Sequence, residues 1–167
     1  VFLFDEPLSN LDAKLREEMQ FELREIQRKV GTTTIMVTHD QAEAMSISDR
    51  VVVMEAGRIT QVDTPLAVYE HPRNAFISTF VGKANLLHAS VVSGSDGEIR
   101  ATVGSVQVAL PPGTSAGNSV VLALRPEKMT CTADGTGRCE GRVTERFFLG
   151  NQWMYTVDTP LGAMLVS

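Results

Sequence analysis

Two short apolar runs, separated by a stretch of helical periodicity, open the chain. Residues 1–4 are all apolar and are followed directly by Asp5 and Glu6. This pattern predicts a buried strand with two carboxylates at its carboxyl end. Residues 33–38, rich in β-branched side chains, predict a second buried strand. With a helix between them, the two runs predict a right-handed βαβ unit with parallel neighbouring strands.

The stretch between the two runs carries apolar residues at helical spacing. These apolar positions are Leu15, Met19, Leu23, Ile26 and Val30. Their steps of three and four residues predict a helix that packs one face on the sheet. Ser9 or Asn10 is the expected N-cap of this helix, and Gly31 is well placed to end it.

More short elements are predicted up to residue 83. Asp40 with Glu43 predicts a capped short helix. Residues 50–54 and 58–62 flank a turn at residues 55–57 and predict a hairpin that completes the sheet. Two further helices are expected to start at the N-capping residues Thr64 and Asn74.

The hydrophobic pattern changes at about Ala84. Short alternating runs follow, such as Val106-Val108-Leu110, Val120-Leu122-Leu124 and Trp153-Tyr155-Val157. Gly, Pro, Ser and Asp turns separate these runs, as is typical of an all-β domain. The predicted fold class is therefore α/β, with a parallel sheet and helices, followed by a small all-β domain. The predicted domains are residues 1–83 and residues 84–167, and the second is expected to be incomplete.

Composition narrows the class of protein. The chain has 167 residues, 43% of them hydrophobic, and a formal net charge of −5, which predicts a soluble globular protein. An acidic chain with few aromatic residues lacks the basic stacking surface that nucleic-acid binding requires, so we expect no nucleic-acid partner. No apolar stretch approaches membrane-spanning length, and no signal peptide is expected. Cys131 and Cys139 are too few for a disulfide framework or a zinc site, and reduced thiols are expected.

Acidic residues and a histidine follow the two predicted strands. Asp5 and Glu6 come after the first strand, and His39 comes after the second. Phosphoryl transfer to water needs a divalent metal and a group that orients or deprotonates the water, and Asp5 and Glu6 are candidates for these tasks. An imidazole at the end of a neighbouring strand can donate a hydrogen bond to the terminal phosphate. This chemistry requires Glu6 and His39 to emerge side by side from adjacent parallel strands.

Each of these features alone is more often structural, but their order along the chain is specific. Asp-Glu-Pro at 5–7, Ser-Asn-Leu-Asp at 9–12 and Thr-His-Asp-Gln-Ala-Glu-Ala at 38–44 are separated by one long predicted helix. This order resembles the ATP-binding-cassette (ABC) transporter ATPases. The resemblance implies that residues 1–6 are the Walker B strand and residues 9–12 the D-loop. It also implies that His39 is the switch histidine, which contacts the γ-phosphate of ATP in that family.

The resemblance implies a role for each candidate site residue. Glu6 and His39 would be catalytic, and Asp5 would hold Mg²⁺ through water. Asp5, Ser9 and Asp12 would contact the cofactor site, with Asp12 reaching the site of a second copy. ATP and Mg²⁺ would be the cofactors of the intact protein. The phosphate loop and the Leu-Ser-Gly-Gly-Gln signature precede Walker B in the family and do not occur here, so we expect a carboxyl-terminal portion that is inactive alone.

The second predicted domain carries a resemblance of its own. Residues 80–85 and residues 124–127, Leu-Arg-Pro-Glu, resemble the transport-associated oligonucleotide-binding-like (TOBE) domain of importer ATPases. The resemblance implies an ATPase that lies peripherally on the cytoplasmic face of the cell membrane. Its partners would be a second copy, membrane permease subunits and, indirectly, a periplasmic or extracellular solute-binding protein. Residues 61–65 and 80–87 favour a polyamine importer over iron or sugar importers, although the ATPase does not touch the transported solute.

Two other functions fit parts of the sequence. A chromosome-maintenance or repair ATPase also pairs Asp-Glu with a downstream histidine, but it is not expected to continue into a small β domain. Alternatively, the β domain binds a small ligand or a regulator and is carried on an incomplete cassette. Basic and hydroxyl residues that converge at a dimer interface of the β domain would favour this second alternative.

Overall fold

The structure is a computed structural model that describes residues 1–93, 98–111, 114, 117–133 and 135–167. The helices are α1 (Ala13–Val30), α2 (Gln41–Ile47), α3 (Pro65–Glu70) and α4 (Ala75–Phe80). The strands are β1 (Phe2–Asp5), β2 (Thr34–Val37), β3 (Val51–Glu55), β4 (Arg58–Asp63), β5 (Asn85–Ser93), β6 (Ile99–Val103), β7 (Val106–Ala109), β8 (Ser119–Leu124), β9 (Arg142–Phe148), β10 (Trp153–Thr159) and β11 (Gly162–Val166). The chain divides into two compact units, Val1–Gly82 and Lys83–Ser167. The predicted fold class, α/β elements followed by an all-β part, is confirmed.

The first unit contains the predicted pair of parallel strands. β1 and β2 are neighbours and run parallel, with Phe2 opposite Thr34 and Asp5 opposite Val37. The connection between them is α1, which ends at Gly31, whose positive φ of 65° suits a residue without a Cβ atom. Because parallel strands end at the same edge of a sheet, this pairing places the segments after Asp5 and Val37 next to each other.

The hairpin β3–β4 does not join this sheet. Among the described residues it forms a separate two-stranded antiparallel sheet, so the prediction that it completes the parallel sheet is wrong. The hairpin instead contributes to a core shared with α3 and α4. The buried members of this core are Val51, Val53, Val68, Ile77 and Val81. The turn itself is as predicted, since Ala56 and Gly57 both have positive φ values, which a two-residue hairpin turn requires.

The predicted burial of the first strands and of α1 is wrong. Leu3, Ile35 and Val37 are 75%, 55% and 57% exposed, and no residue of α1 is buried. β1 and β2 form a sheet of only two strands, and within this unit the described residues leave that face open. The helix starts predicted later in this unit are confirmed, since Thr64 and Asn74 cap α3 and α4.

In the part of the second unit that the structure describes, the strands form two antiparallel sheets. One has the strand order β7-β6-β5-β8 and the other the order β11-β10-β9. The buried Asn85 of β5 joins them, because its amide exchanges two hydrogen bonds of 2.7 Å with the backbone of Leu165 in β11. Arg125 is also buried and donates to the carbonyl of Lys83 at 3.1 Å. The two motifs that resemble a TOBE domain therefore supply polar contacts that hold this unit together.

Two further observations concern the cysteines and the length of the helices. Cys131 and Cys139 are free and exposed. Among the residues that the structure describes, no helix is long and apolar enough to cross a membrane.

Candidate functional site

The candidate site forms where β1 and β2 end. The last register pair is Asp5 with Val37, and the backbone of Glu6 continues the pairing by donating to the Val37 carbonyl at 2.8 Å. Glu6 therefore follows the end of β1 directly, and His39 lies two residues after the end of β2. In open α/β sheets, ligands bind outside the carboxyl ends of the parallel strands. The sheet edge thus lies where folds of this kind hold their ligands.

Glu6 and His39 contact each other directly at this edge. The distance between Glu6 Oε1 and His39 Nδ1 is 2.9 Å. The hydrogen bond with Glu6 is the main cause that raises the pKa of His39, and the charge of the Glu6 carboxylate adds to it. Partial loss of hydration and, more weakly, the charge of Arg16 lower this pKa, whereas the nearby Asp40 raises it. The pair therefore favours an imidazolium whose Nδ1–H donates to Glu6 and whose Nε2–H points elsewhere.

The backbone of Glu6 has an unusual conformation. Its φ is 45°, in the left-handed region that a non-glycine residue rarely adopts. The following Pro7 restricts Glu6 further, because a residue before proline favours extended conformations. Such backbone strain costs on the order of 1–3 kcal/mol and is concentrated at functional sites. The fold thus maintains a strained backbone at the residue that meets His39.

Asp5 ends β1 with an exposed carboxylate. This side chain has no hydrogen bond or ion pair with any of the described residues. The described part of the chain contains no group of three or more His, Cys, Asp or Glu residues that could hold a metal ion. Mg²⁺ commonly uses one or two carboxylates together with water and substrate phosphates. A free carboxylate beside the Glu6–His39 pair therefore fits a magnesium ion that arrives with a nucleotide.

Ser9 and Asp12 lie in the segment that connects Glu6 to α1. The Ser9 hydroxyl donates to the Glu6 carbonyl at 3.0 Å. Asp12 is the N-cap of α1, because its Oδ1 accepts a hydrogen bond of 3.1 Å from the Leu15 backbone. The prediction that Ser9 or Asn10 caps this helix is wrong. Ser9 is used to close the turn after Glu6, so the helix begins later and Asp12 supplies the capping oxygen.

The residues on both sides of His39 are held by short-range hydrogen bonds. Thr38 Oγ1 donates to Glu43 and accepts from the Asp40 backbone at 3.0 Å. Asp40 Oδ1 in turn accepts from the Glu43 backbone at 3.1 Å, which confirms the predicted cap of α2. Glu43 is only 2% exposed. The loop that carries His39 is therefore fixed by buried contacts while the imidazole itself remains accessible.

The sequence analysis did not predict that Arg16 lies near the site. Its guanidinium contacts both the Leu11 carbonyl and the Asp40 carboxylate, so it belongs to the surroundings of the site. The available signal was an arginine one turn into the helix that follows Asp12, where a long side chain can reach back over the first turn.

The chain is similar to several known proteins. Residues 122–167 match the TOBE domain family. The chain is 40% identical to an Fe(3+) ions import ATP-binding protein of Rhizobium etli, over 99% of this chain and 47% of the relative. It is 43% identical to a spermidine/putrescine import ATP-binding protein of Pseudomonas aeruginosa, over 99% of this chain and 48% of the relative. A spermidine/putrescine import ATP-binding protein of Rubrobacter xylanophilus is 41% identical, over 100% of this chain and 46% of its own length.

The chain spans about half the length of the curated relatives it matches. The matches extend over almost all of this chain, and they cover the segment with Glu6 and His39 as well as the all-β unit. The chain is therefore similar along almost its whole length to import ATP-binding proteins, and its residues 122–167 match the TOBE domain family.

Proposed function

We propose that this chain forms part of the ATP-hydrolysing subunit of an ABC importer, which couples hydrolysis to solute uptake. The observation that carries the proposal is the 2.9 Å contact between Glu6 and His39 beyond two adjacent parallel strands. The names of the relatives support it, since they are ATP-binding proteins of Fe(3+) or spermidine/putrescine import.

Glu6 is proposed to orient and deprotonate the attacking water. Its Oε1 contacts His39, and its Oε2 has no partner among the described residues. Oε2 can therefore accept a hydrogen bond from a water, and then its proton, as the water attacks the terminal phosphorus. General base catalysis of this kind contributes about 10²–10⁴-fold to a rate.

His39 is proposed to bind the terminal phosphate. Its Nδ1 is engaged by Glu6, which fixes the ring and leaves Nε2–H to donate to a phosphate oxygen. Because the pKa of His39 is raised, the ring retains its positive charge to higher pH. This positive charge stabilises the negative charge that develops on the phosphate oxygens. His39 thus stabilises the transition state while its contact with Glu6 keeps the base in place.

The remaining site residues have supporting roles in the proposal. Asp5 would hold Mg²⁺ through water, and the ion would neutralise charge on the phosphate oxygens. Ser9 and Asp12 would contact the nucleotide site of a second copy. Asp12 Oδ1 is used for capping α1, so Oδ2 is the atom available for this contact. ATP itself would be held mainly by a phosphate loop contributed by further chain.

The proposed partners follow from the importer role. Two copies would enclose ATP, and permease subunits would carry the movement across the cell membrane, with the ATPase on its cytoplasmic face. A solute-binding protein would deliver the solute to the permease. We propose a polyamine as the transported solute, supported by residues 61–65 and 80–87 and by the 43% and 41% identical relatives named for spermidine/putrescine import.

A chimera tests the proposed hydrolysis. The part of the Pseudomonas aeruginosa relative that precedes the matched region is joined to this chain, and phosphate release from Mg-ATP is measured. We expect steady turnover in the chimera and none in the 167-residue chain alone. E6Q should lower the turnover by about 10²–10⁴-fold, because the water loses its base. E25Q is the matched control, since Glu25 is exposed and, among the described residues, pairs with Lys29 alone.

The outcomes separate the parts of the proposal. A folded chimera that binds ATP and hydrolyses it equally well with E6Q would refute the role of Glu6. Turnover by the chain alone that E6Q abolishes would refute the need for a separate phosphate loop. The solute is tested in cells whose own importers are deleted and that carry the chimera with the matching permease. Uptake of labelled putrescine is compared there with uptake of labelled ferric iron, which distinguishes the two solutes.

A further inference from the structure

We infer that Arg16 is a positioning residue that ties the segment after Glu6 to the loop that carries His39. The functional importance of this role rests on the proposed function, because the role concerns the geometry of the Glu6–His39 pair. The contacts of Arg16 themselves are independent of that function.

Arg16 bridges two segments that are distant in sequence. One guanidinium nitrogen donates to the Leu11 carbonyl at 2.9 Å, and another lies 3.1 Å from Asp40 Oδ2. Leu11 belongs to the irregular segment between Glu6 and α1, and Asp40 follows His39 directly. The Arg16 and Asp40 side chains are only 31% and 28% exposed, so both contacts are partly shielded from water. Charge-assisted hydrogen bonds of this kind are about twice as strong as neutral ones.

The two segments need such a tie. Residues 6–12 form no strand or helix, and besides the pairing at Glu6 and the cap at Asp12 they are held by short turn contacts. The Ser9 and Leu11 amides donate to the Glu6 and Leu8 carbonyls at 3.3 and 3.2 Å, the Ser9 hydroxyl closes the same turn, and Leu8 is buried. Segments with few fixed contacts open locally at low cost. Asp40 uses Oδ1 to cap α2 and Oδ2 to bind Arg16, so the guanidinium joins the start of α2 to the start of α1. Glu6 belongs to the same irregular segment as Leu11, and His39 directly precedes Asp40, so each member of the Glu6–His39 pair lies in one of the two tied segments.

The geometry requires an arginine rather than a general cation. A guanidinium presents several donors in one rigid fork, so it can satisfy a carbonyl and a carboxylate at once. A lysine ammonium keeps the positive charge but lacks that fork. R16K therefore removes the bridge while it leaves the charge near its original place.

The chain offers a matched control in Arg24 on the same helix. Arg24 donates to the Ile47 carbonyl and lies 3.0 Å from Asp49 Oδ1, so it makes the same pair of contacts at the far end of α2. R24M and R16M therefore remove equivalent interactions from the same two helices. Only R16M removes the tie beside His39.

The test uses amide hydrogen exchange of the 167-residue chain without nucleotide. In R16M and R16K we expect the Leu11 and Asp40 amides to exchange about tenfold faster, as the loss of a charge-assisted hydrogen bond implies. R24M should accelerate exchange around Ile47 and leave those two amides unchanged. The inference is overturned if R16M and R24M accelerate the same amides, or if R16M accelerates all amides equally through a loss of global stability.

The titration of His39, followed by NMR of its ring, provides a second readout. The charge of Arg16 lowers the pKa of His39, so removal of that charge without any movement would raise the pKa. Loosening of the contact with Glu6 would lower it. R16K retains the charge, and we expect its His39 pKa to move down toward the ordinary value. An unchanged His39 pKa in R16K would show that Arg16 acts only through its charge, and a higher pKa would show that the contact with Glu6 does not loosen. Either result would overturn the inference.

The inference and the proposed function fail separately. If the active chimera is unaffected by R16K and the Leu11 and Asp40 amides stay protected in R16M, Arg16 has no positioning role. If the exchange pattern is as expected but the chimera with unchanged Arg16 does not hydrolyse ATP, the tie exists and the proposed function is wrong. In an active chimera, R16K should lower kcat more than it raises the KM for ATP, because it displaces the reacting groups rather than the binding surface.

Discussion

Replacement of Asn85 by alanine should destabilise the second unit strongly. Asn85 is 8% exposed, and its amide makes two hydrogen bonds of 2.7 Å with the backbone N–H and carbonyl of Leu165. Each hydrogen bond contributes about 0.5–1.5 kcal/mol net, and a buried backbone group left without a partner costs about 1–3 kcal/mol. Leu165 is half-buried, so water reaches part of its backbone. The free energy of unfolding should therefore fall by about 2–4 kcal/mol.

The measurement is urea denaturation followed by the fluorescence of Trp153. This is the only tryptophan of the chain and lies in β10, so its signal reports the second unit. Q107A is the matched control, because Gln107 is an exposed amide in β7 of the same unit. Its substitution should change the unfolding free energy by less than about 0.5 kcal/mol. If N85A and Q107A lower the midpoint equally, the bridge between the two sheets contributes little and the reasoning is refuted.

Further predictions concern the site and the first unit. E6Q should lower the His39 pKa toward its ordinary value in an NMR titration, because Glu6 is the main cause of the raised pKa. The stabilisation by the Glu6–His39 pair should be complete below the ordinary pKa of histidine and be lost as the pH rises through the raised pKa of His39. An unchanged His39 titration in E6Q would contradict the contact between the two side chains. D12A should lower the stability of α1 by about 1 kcal/mol, measured by circular dichroism, because it removes the N-cap. D12N should cost much less, because asparagine also caps helices, and equal losses in the two variants would exclude capping by Asp12. I77A should lower the unfolding free energy by about 2–5 kcal/mol, against less than about 0.5 kcal/mol for I59A, since Ile77 is fully buried and Ile59 is 63% exposed.

Local signals in the sequence predicted the elements around the site well. The apolar run before Asp5, the β-branched run before His39 and the capping residues Asp40, Thr64 and Asn74 each depend on a few neighbouring residues. Strand and helix starts are set by such short-range preferences, and the structure has these elements at the expected places. The resemblance to a family depended on the combined order of Asp-Glu-Pro, Ser-Asn-Leu-Asp, one long helix and Thr-His-Asp-Gln-Ala-Glu-Ala, which is also local sequence information.

Burial and sheet membership were not predictable in the same way. Leu3 and Ile35 have the hydrophobicity of core residues, but burial depends on what lies against them, and in this unit the described residues leave them exposed. The hairpin β3–β4 could pair with β2 or pack on α3 and α4, and its alternating pattern fits both. The choice between such partners is a property of the whole fold.

The sequence by itself determined which chemical groups follow β1 and β2, because side-chain identity and the strand-forming runs that precede those groups are local. Only the tertiary structure decided how these groups are held. Asp12 rather than Ser9 caps α1, since the turn closed by Ser9 delays the helix. Arg16 meets Asp40 across 24 residues, and Asn85 meets Leu165 across 80. Such contacts depend on where the chain returns in space, which no local pattern of residues specifies.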